Sequence, residues 1–456
     1  EHFYVITEPM KDLPKNLPVL RDYNNCLYLK EDAGKMLVGI FEPNAKPAFK
    51  STGVVPDDFS FGELPDDFDH FEPYLQKSFH RLPMLENAGI RKFFSGPESF
   101  TPDTQYLLGE TPEIKKLFTC CGFNSIGIAS SGGAGRVTAE WMINGHINED
   151  LFSLDIKRFQ KFHSSKKFIM ERVTETLGDL YGMHWPFKQH KTSRNQIILP
   201  YQEELKKLGA CFGTSGGFER PMWYALKGEK ADYKYSFGYQ NWYPSAEYET
   251  KNTRENVGLF ELSPFSKFDL EGQNVHEELQ KICTANIKDI EGRATYTQML
   301  NEDGGIETDV TITCLKKNHF RVIGPAATRE HDKFHIKKHI SQEVNLKDVT
   351  EDLTCFGLYG PNSRKLLSNI SNDDFSNESI KFSHGKLVTI DGISVWAQRL
   401  SYVGEIGFEL YANIEESKKL FLAIVKEGKN HGLSLCGAHA MDIMRMESGF
   451  LHWGHD

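Results

Sequence analysis

Two acidic side chains set inside strand-like runs are the residues of this sequence best placed to do chemistry. In residues 300–315, LNEDGGIETDVTITCL, the turn Asp303-Gly304-Gly305 reads as a hairpin or tight-loop signal. Beyond it Ile306, Thr308, Val310 and Ile312 alternate with Glu307, Asp309, Thr311 and Thr313, which is the period of a strand. Asp309 is therefore expected on a rigid element, on its more polar face. There it either lines a pocket for a ligand that brings its own donors or meets water as a solvated carboxylate. Residues 401–411, SYVGEIGFELY, repeat that logic: Gly404 and Gly407 permit a tight turn, and Glu409 follows between Phe408 and Leu410. A pair of such carboxylates suits a ligand rich in N–H donors, a pterin for example, whose amino and ring N–H groups pair with a bidentate acceptor.

A second kind of chemistry is written in residues 96–141. The strand-like run LFTCC at 117–121 leads into GFNSIGIASSGGAGR and then a helix through Trp141. Strand, glycine-rich loop and helix, in that order, present backbone N–H groups and a positive helix end to an anion or a polar heteroaromatic edge. Gly132, Gly133 and Gly135 would let a flat ligand approach closely. The spacing is not that of the dinucleotide fingerprint, and plain helix–strand packing is the alternative account of the loop.

The elements that must position these groups belong to a chain of 456 residues, 39% hydrophobic and 25% charged, long enough for two or three domains. A net charge of -10 and the lack of any basic stripe argue against a nucleic-acid surface. No apolar run approaches the length of a membrane-spanning helix. The 8 cysteines are scattered, with Cys120 and Cys121 adjacent and no Cys/His cluster at zinc spacing, so no metal site is expected and the thiols read as reduced. The chain starts at Glu1-His2 and stops at Asp456 just past a helical segment, which reads as a fragment cut at both ends.

Short strands come first, at 3–7, 27–29 (preceded by residues 17–21) and 36–41, followed by an acidic, Phe-rich connection over 56–73 and a helix over 74–82 stopped by Pro83. Residues 162–177 read as a basic helix, and CFGTSGGFERPMWYA at 211–225 reads as a hinge. Strands are then expected at 257–262, 267–270, 297–300, 309–315, 320–324, 355–359 and 388–393, with helices over 329–340, 416–431 and 437–449. The resulting fold class is α+β and multidomain.

These motifs carry a family resemblance. NVGLFELSPFSKF (256–268), GGIETDVTI (304–312), LYGPNS (358–363), SYVGEIGFELY and RMESGFLHWG (445–454) resemble the folate-binding domain of glycine-cleavage T-proteins. They resemble more closely the copy fused behind an FAD-dependent amine oxidoreductase in the dimethylglycine and sarcosine dehydrogenase family. EHFYVITEPM, LPVLRD, GPESFTPD and GFNSIGIASSGGAGR are similar to the later part of that D-amino-acid-oxidase-like domain, and YGMHWPFKQ through FERPMWYA resembles its small central domain. The division implied is residues 1–160, 161–216 and 217–456, with the C-terminal barrel of the folate domain lying outside the sequence.

The resemblance implies roles residue by residue. Asp309 would hold or deprotonate the folate nitrogen that receives the one-carbon unit, with Tyr402 and Glu409 binding the pterin ring and Arg445 contributing from the last helix. His2 and Tyr28 would orient the amine over the flavin, and Gly132, Gly133 and Gly135 would face its pyrimidine edge. The expected activity is FAD-dependent oxidation of a small methylated glycine, with transfer of the one-carbon unit to tetrahydrofolate. An electron-transfer flavoprotein or oxygen would accept the electrons, in the cytoplasm of a bacterium or the mitochondrial matrix of a eukaryote. Two rivals share the scaffold: a non-catalytic protein resembling the regulatory subunit of pyruvate dehydrogenase phosphatase, and a folate-dependent demethylase using only the second half.

Overall fold

The structure is a computed structural model describing residues 1–456. It divides into two compact units, one built mainly from residues 1–145 and 161–193, the other mainly from residues 194–456.

The first unit is organised on a five-stranded antiparallel sheet in the order Leu20–Asp22, Leu27–Asp32, Lys35–Ile40, His2–Thr7, Ile90–Gly96. One face carries Phe3, Val5, Leu27, Leu29, Val38 and Ile40, buried beneath Phe71 and Leu75 of the helix Phe68–Arg81. That helix begins earlier than its sequence pattern indicates. Asp67 caps it by accepting from the His70 N–H at 3.1 Å, so part of the expected acidic connection is helical and Pro73 lies inside the helix. The other face of the sheet holds His2, Tyr4, Tyr28 and Gly39, since Tyr28 pairs with Gly39 and Gly39 with Tyr4.

The glycine-rich loop is in fact helix. Gly132, Gly133 and Gly135 all lie within Gly127–Asn144, where Ala134, Val137 and Trp141 recur at helical spacing and are buried. Packing of that stripe near the hairpin Leu107–Glu110/Phe118–Cys121 overrides the helix penalty of the glycines, roughly 1 kcal/mol each relative to alanine.

In the second unit, residues 211–225 do not make a hinge. They form most of the hairpin Ala210–Ser215/Phe218–Tyr224, which fully buries Trp223. Two larger sheets follow. One runs Ala294–Leu300, Ile306–Lys316, His319–Gly324, Ser266–Glu271, Asn345–Asp348; the other runs Gly385–Ile390, Ile393–Gln398, Gly407–Asn413, Leu353–Tyr359, Val257–Glu261, Leu433–Cys436. Val310, Ile312, Phe268 and Val322 of the first pack against the helices Val275–Ile282 and Arg329–His339. Leu259, Leu358, Phe408 and Leu410 of the second pack against the helices Ser363–Ile370 and Ser417–Gly428. Alternation then leaves each sheet a second, more polar face, and Ile323 of the first sheet packs into the cluster of Phe260, Tyr359 and Tyr411 of the second. No helix is long and apolar enough to cross a membrane.

Candidate functional site

Each unit places residues singled out by the sequence in a polar setting. In the first, Tyr28 reaches His2 across the intervening strand, with Tyr28 Oη 2.9 Å from His2 Nε2. Gly39 makes this crossing possible, because a Cβ there would lie 2.0 Å from Tyr28 Cζ, inside the ring. On the other side of the imidazole, His2 Nδ1 stands 2.6 Å from Glu98 Oε2. The three side chains form one chain, phenol to imidazole to carboxylate. Burial raises the Tyr28 pKa above the ordinary phenol value, and the Glu98 charge adds to it. Burial also pushes Glu98 upward, but the hydrogen bond and charge of His2 and the Ser125 hydroxyl outweigh it, so its pKa is lowered. Phe41, its ring centroid 4.8 Å from that of His2, and Tyr181 provide aromatic walls beside the pair.

His2 and Tyr28 are thus brought together, and Glu98 joins them without having been singled out from the sequence. Gly132, Gly133 and Gly135 are exposed on their helix, with no atom within 4 Å of the place each Cβ would occupy. Their N–H groups belong to the helix ladder, so these glycines offer a flat open surface rather than a nest of donors.

In the second unit Asp309 is partly exposed and accepts from Tyr296 Oη at 2.9 Å, diagonally across the hairpin in which Gln298 pairs with Asp309. Loss of solvent around the phenol, together with the Asp309 carboxylate, pushes Tyr296 up to about 12. The Asp309 charge is also felt by Tyr402 and His452. Tyr402 Oη donates to the Leu451 carbonyl at 3.2 Å, and its ring stacks on Phe450. Arg445 is buried and tied to Asp442 at 2.8 Å and Asp456 at 2.5 Å, and its charge reaches Tyr402.

Glu409 stands on the opposing sheet, on the face shared by Gln398, Gly357 and Tyr411. Tyr411 Oη donates to it at 2.5 Å. Burial raises the Glu409 pKa, opposed by Tyr411 and Tyr359. Asp309 and Arg321 share the corresponding face of the first sheet, and the Arg321 guanidinium lies 6.0 Å from the Tyr411 ring centroid. The two carboxylates picked from sequence therefore look into one interlayer space, with different surroundings. Asp309 is an acceptor open to solvent, whereas Glu409 is an acceptor at a desolvated position where an added donor has the most to compensate.

A twin-layered domain with facing carboxylates, joined in one chain to a sheet carrying a phenol–imidazole–carboxylate chain, is the architecture of a flavin oxidoreductase segment followed by a T-protein-like domain. Residues 1–141 match the FAD dependent oxidoreductase family, residues 144–197 the FAD dependent oxidoreductase central domain, and residues 201–456 the GCVT N-terminal domain. The chain belongs to the GCVT N-terminal domain family, here combined with an FAD-dependent oxidoreductase segment, as its motifs indicated.

Among similar proteins, 4-methylaminobutanoate oxidase (formaldehyde-forming) from Paenarthrobacter nicotinovorans is 39% identical over the whole chain, which covers 55% of that protein. Mitochondrial sarcosine dehydrogenase from Mus musculus is 32% identical over the whole chain, which covers 53% of it. The mitochondrial pyruvate dehydrogenase phosphatase regulatory subunit of Mus musculus is also 32% identical, with 53% covered. The chain thus spans about half the length of the curated relatives it matches.

Proposed function

We propose that the full-length protein oxidises a small N-methylated amino acid with FAD and passes the released one-carbon unit to tetrahydrofolate. The observation that carries the amine half of this reading is the Tyr28–His2 pair, held across Gly39 on a sheet face away from the core. A phenol linked to an imidazole can bind an ammonium N–H and remove its proton, leaving the nitrogen lone pair free to assist loss of hydride from the methyl carbon. FAD, when bound, supplies the acceptor for that hydride. The open face at Gly132, Gly133 and Gly135 fits a flat ring system and is where this chain would contribute to holding it.

In the second unit Asp309 takes or holds the proton of the folate nitrogen that attacks the one-carbon unit, while Glu409 accepts hydrogen bonds from the pterin edge. Tyr402 and Arg445 support that pocket from the 401–411 segment and the last helix. The two enzymes named above support an N-methyl amino acid ranging from sarcosine to the longer 4-methylaminobutanoate.

A second reading, a non-catalytic regulatory protein, is favoured by the 32% identity to the phosphatase regulatory subunit. Turnover of the full-length protein with these amines, scored for demethylated product and for methylenetetrahydrofolate, tests the proposal. A protein that loads flavin yet demethylates none of them would count for the regulatory reading.

A further inference from the structure

The Tyr28–His2 pair does not stand alone, and what lies behind it has a structure of its own. Glu98 sits two residues past Gly96, the residue paired with His2, so the sheet register itself delivers the carboxylate to His2 Nδ1 at 2.6 Å. The segment that backs Glu98 is unusual. Asn124 and Ser125 are consecutive non-glycine residues in the left-handed region, at φ 49 and 66°. Such backbone costs energy and persists only where neighbours hold it.

Here Asn124 is buried and does the holding. Its Oδ1 accepts the Thr101 N–H at 2.8 Å, its Nδ2 donates to the Gly122 carbonyl at 2.6 Å, and its own N–H donates to the Ser99 carbonyl at 3.2 Å. Ser125, set in that backbone, is the hydroxyl that helps hold the Glu98 carboxyl below its ordinary range. A carboxylate 2.6 Å from Nδ1 favours the imidazole proton on that nitrogen, with Nε2 then the acceptor for Tyr28 Oη–H.

We infer that Glu98, steadied by Ser125 from the left-handed Asn124-Ser125 pair, is a positioning residue that fixes the His2 tautomer so that Tyr28 and His2 can take a proton from a substrate ammonium. The proton leaves the substrate nitrogen for Tyr28 Oη as the phenolic proton passes to His2 Nε2, and the imidazolium formed faces the Glu98 carboxylate. Charge and protons balance within the substrate, Tyr28 and His2, and Glu98 itself keeps its ionisation. This inference rests on the amine-oxidation reading for its chemistry, though not for its geometry. The charged and titratable groups around the chain are Tyr4, Tyr181, Arg21 and the Glu1 amino group.

The test uses full-length protein labelled with 15N-histidine, with the His2 signals assigned by their loss in His2→Asn. The wild type is expected to show the ring proton held at Nδ1. Glu98→Ala and the milder Glu98→Gln should shift that population toward Nε2–H, Ser125→Ala should do so less, and Glu98→Asp should restore part of the wild-type signal. In stopped-flow, Glu98→Gln should slow flavin reduction by roughly 100-fold, the low end of what acid–base catalysis supplies, with little change in KM. Unchanged His2 signals in both Glu98→Ala and Glu98→Gln would overturn the inference, as would wild-type reduction rates in Glu98→Gln. If no methylated amine reduces the flavin of the wild type, the amine-oxidation reading fails, and the NMR comparison still decides whether Glu98 fixes the His2 tautomer.

Discussion

In the first unit Tyr28, His2 and Glu98 are joined end to end, so a proton entering at the phenol would have somewhere to go and a counter-charge waiting for it. In the second unit Asp309 and Glu409 are not joined to each other. Each carboxylate binds a tyrosine, Tyr296 or Tyr411, and each otherwise faces the space between two sheets. A relay and a cradle make different demands on the sequence. The relay needs three side chains in line, with a glycine at 39 to let one of them cross a strand; the cradle needs only acceptors on rigid strands, because the ligand brings the donors. The relay is therefore expected to be brittle in its geometry, and the cradle to depend on charge.

Substitutions can separate the two. Asp309→Asn keeps the shape and removes the charge, so methylenetetrahydrofolate formation should fall by about 100-fold or more while formaldehyde accumulates. Flavin reduction by the amine should stay within about twofold, since Asp309 takes no part in that step. A folate assay beside stopped-flow reduction checks both, and equal losses in the two would erase the distinction drawn here.

Gly39 carries no reacting group, yet a Cβ at this position would occupy the place of the Tyr28 ring. Gly39→Ala should slow amine-driven flavin reduction to nearly the level of Tyr28→Phe, on the order of 100-fold, with the folate half intact. A Gly39→Ala protein reducing flavin at the wild-type rate would show that the crossing does not matter.

The interlayer space makes a further prediction. Lys267 is fully buried, with Nζ donating to the carbonyls of Ser263 at 2.8 Å and Phe265 at 2.7 Å, and burial lowers its pKa to about 8 from 10.5. The folded state therefore releases this proton before the unfolded state does. Stability relative to Lys267→Met should rise by about 3 kcal/mol as pH climbs from about 8 to 10.5, and be flat below that window. Urea unfolding of both proteins across that range gives the answer, and parallel pH profiles would contradict it.

The smallest effect concerns the exposed helix. Gly133→Ala should stabilise the apoprotein by up to about 1 kcal/mol through helix propensity. It should nonetheless lower the flavin-to-protein absorbance ratio if that face lies against the cofactor. Higher thermal stability with full flavin content would move the flavin contact elsewhere.

What could be read from the sequence follows the range of the interactions. Asp309 and Glu409 were legible because strand period is local: two residues along the chain return to the same face, and a carboxylate among Thr308, Val310, Phe408 and Leu410 stands out at once. Folding the hairpin about Gly304 would also have found Tyr296, whose partner positions are set by the turn. Glu98 was out of reach, since its contact with His2 depends on which strand lies beside His2–Thr7, a long-range pairing that no local pattern encodes. The helix Gly127–Asn144 was misread as a loop because three glycines speak louder locally than Ala134, Val137 and Trp141, whose burial becomes visible only once the neighbouring strands are in place. The hairpin at 210–224 reads locally as a hinge for the same reason: Gly213, Gly216 and Gly217 mark a turn, and only packing shows that Trp223 anchors it.

The most direct test of the central claim is anaerobic bleaching of the flavin absorbance in the full-length protein. Sarcosine, dimethylglycine and 4-methylaminobutanoate would each be added, with and without tetrahydrofolate, to the wild type and to Tyr28→Phe. The account predicts rapid bleaching of the wild type by at least one of these amines, slowed roughly 100-fold in Tyr28→Phe, with tetrahydrofolate changing the product but not the bleaching. A flavin-loaded wild type that none of the amines bleaches, or a Tyr28→Phe protein that bleaches at the wild-type rate, would contradict it.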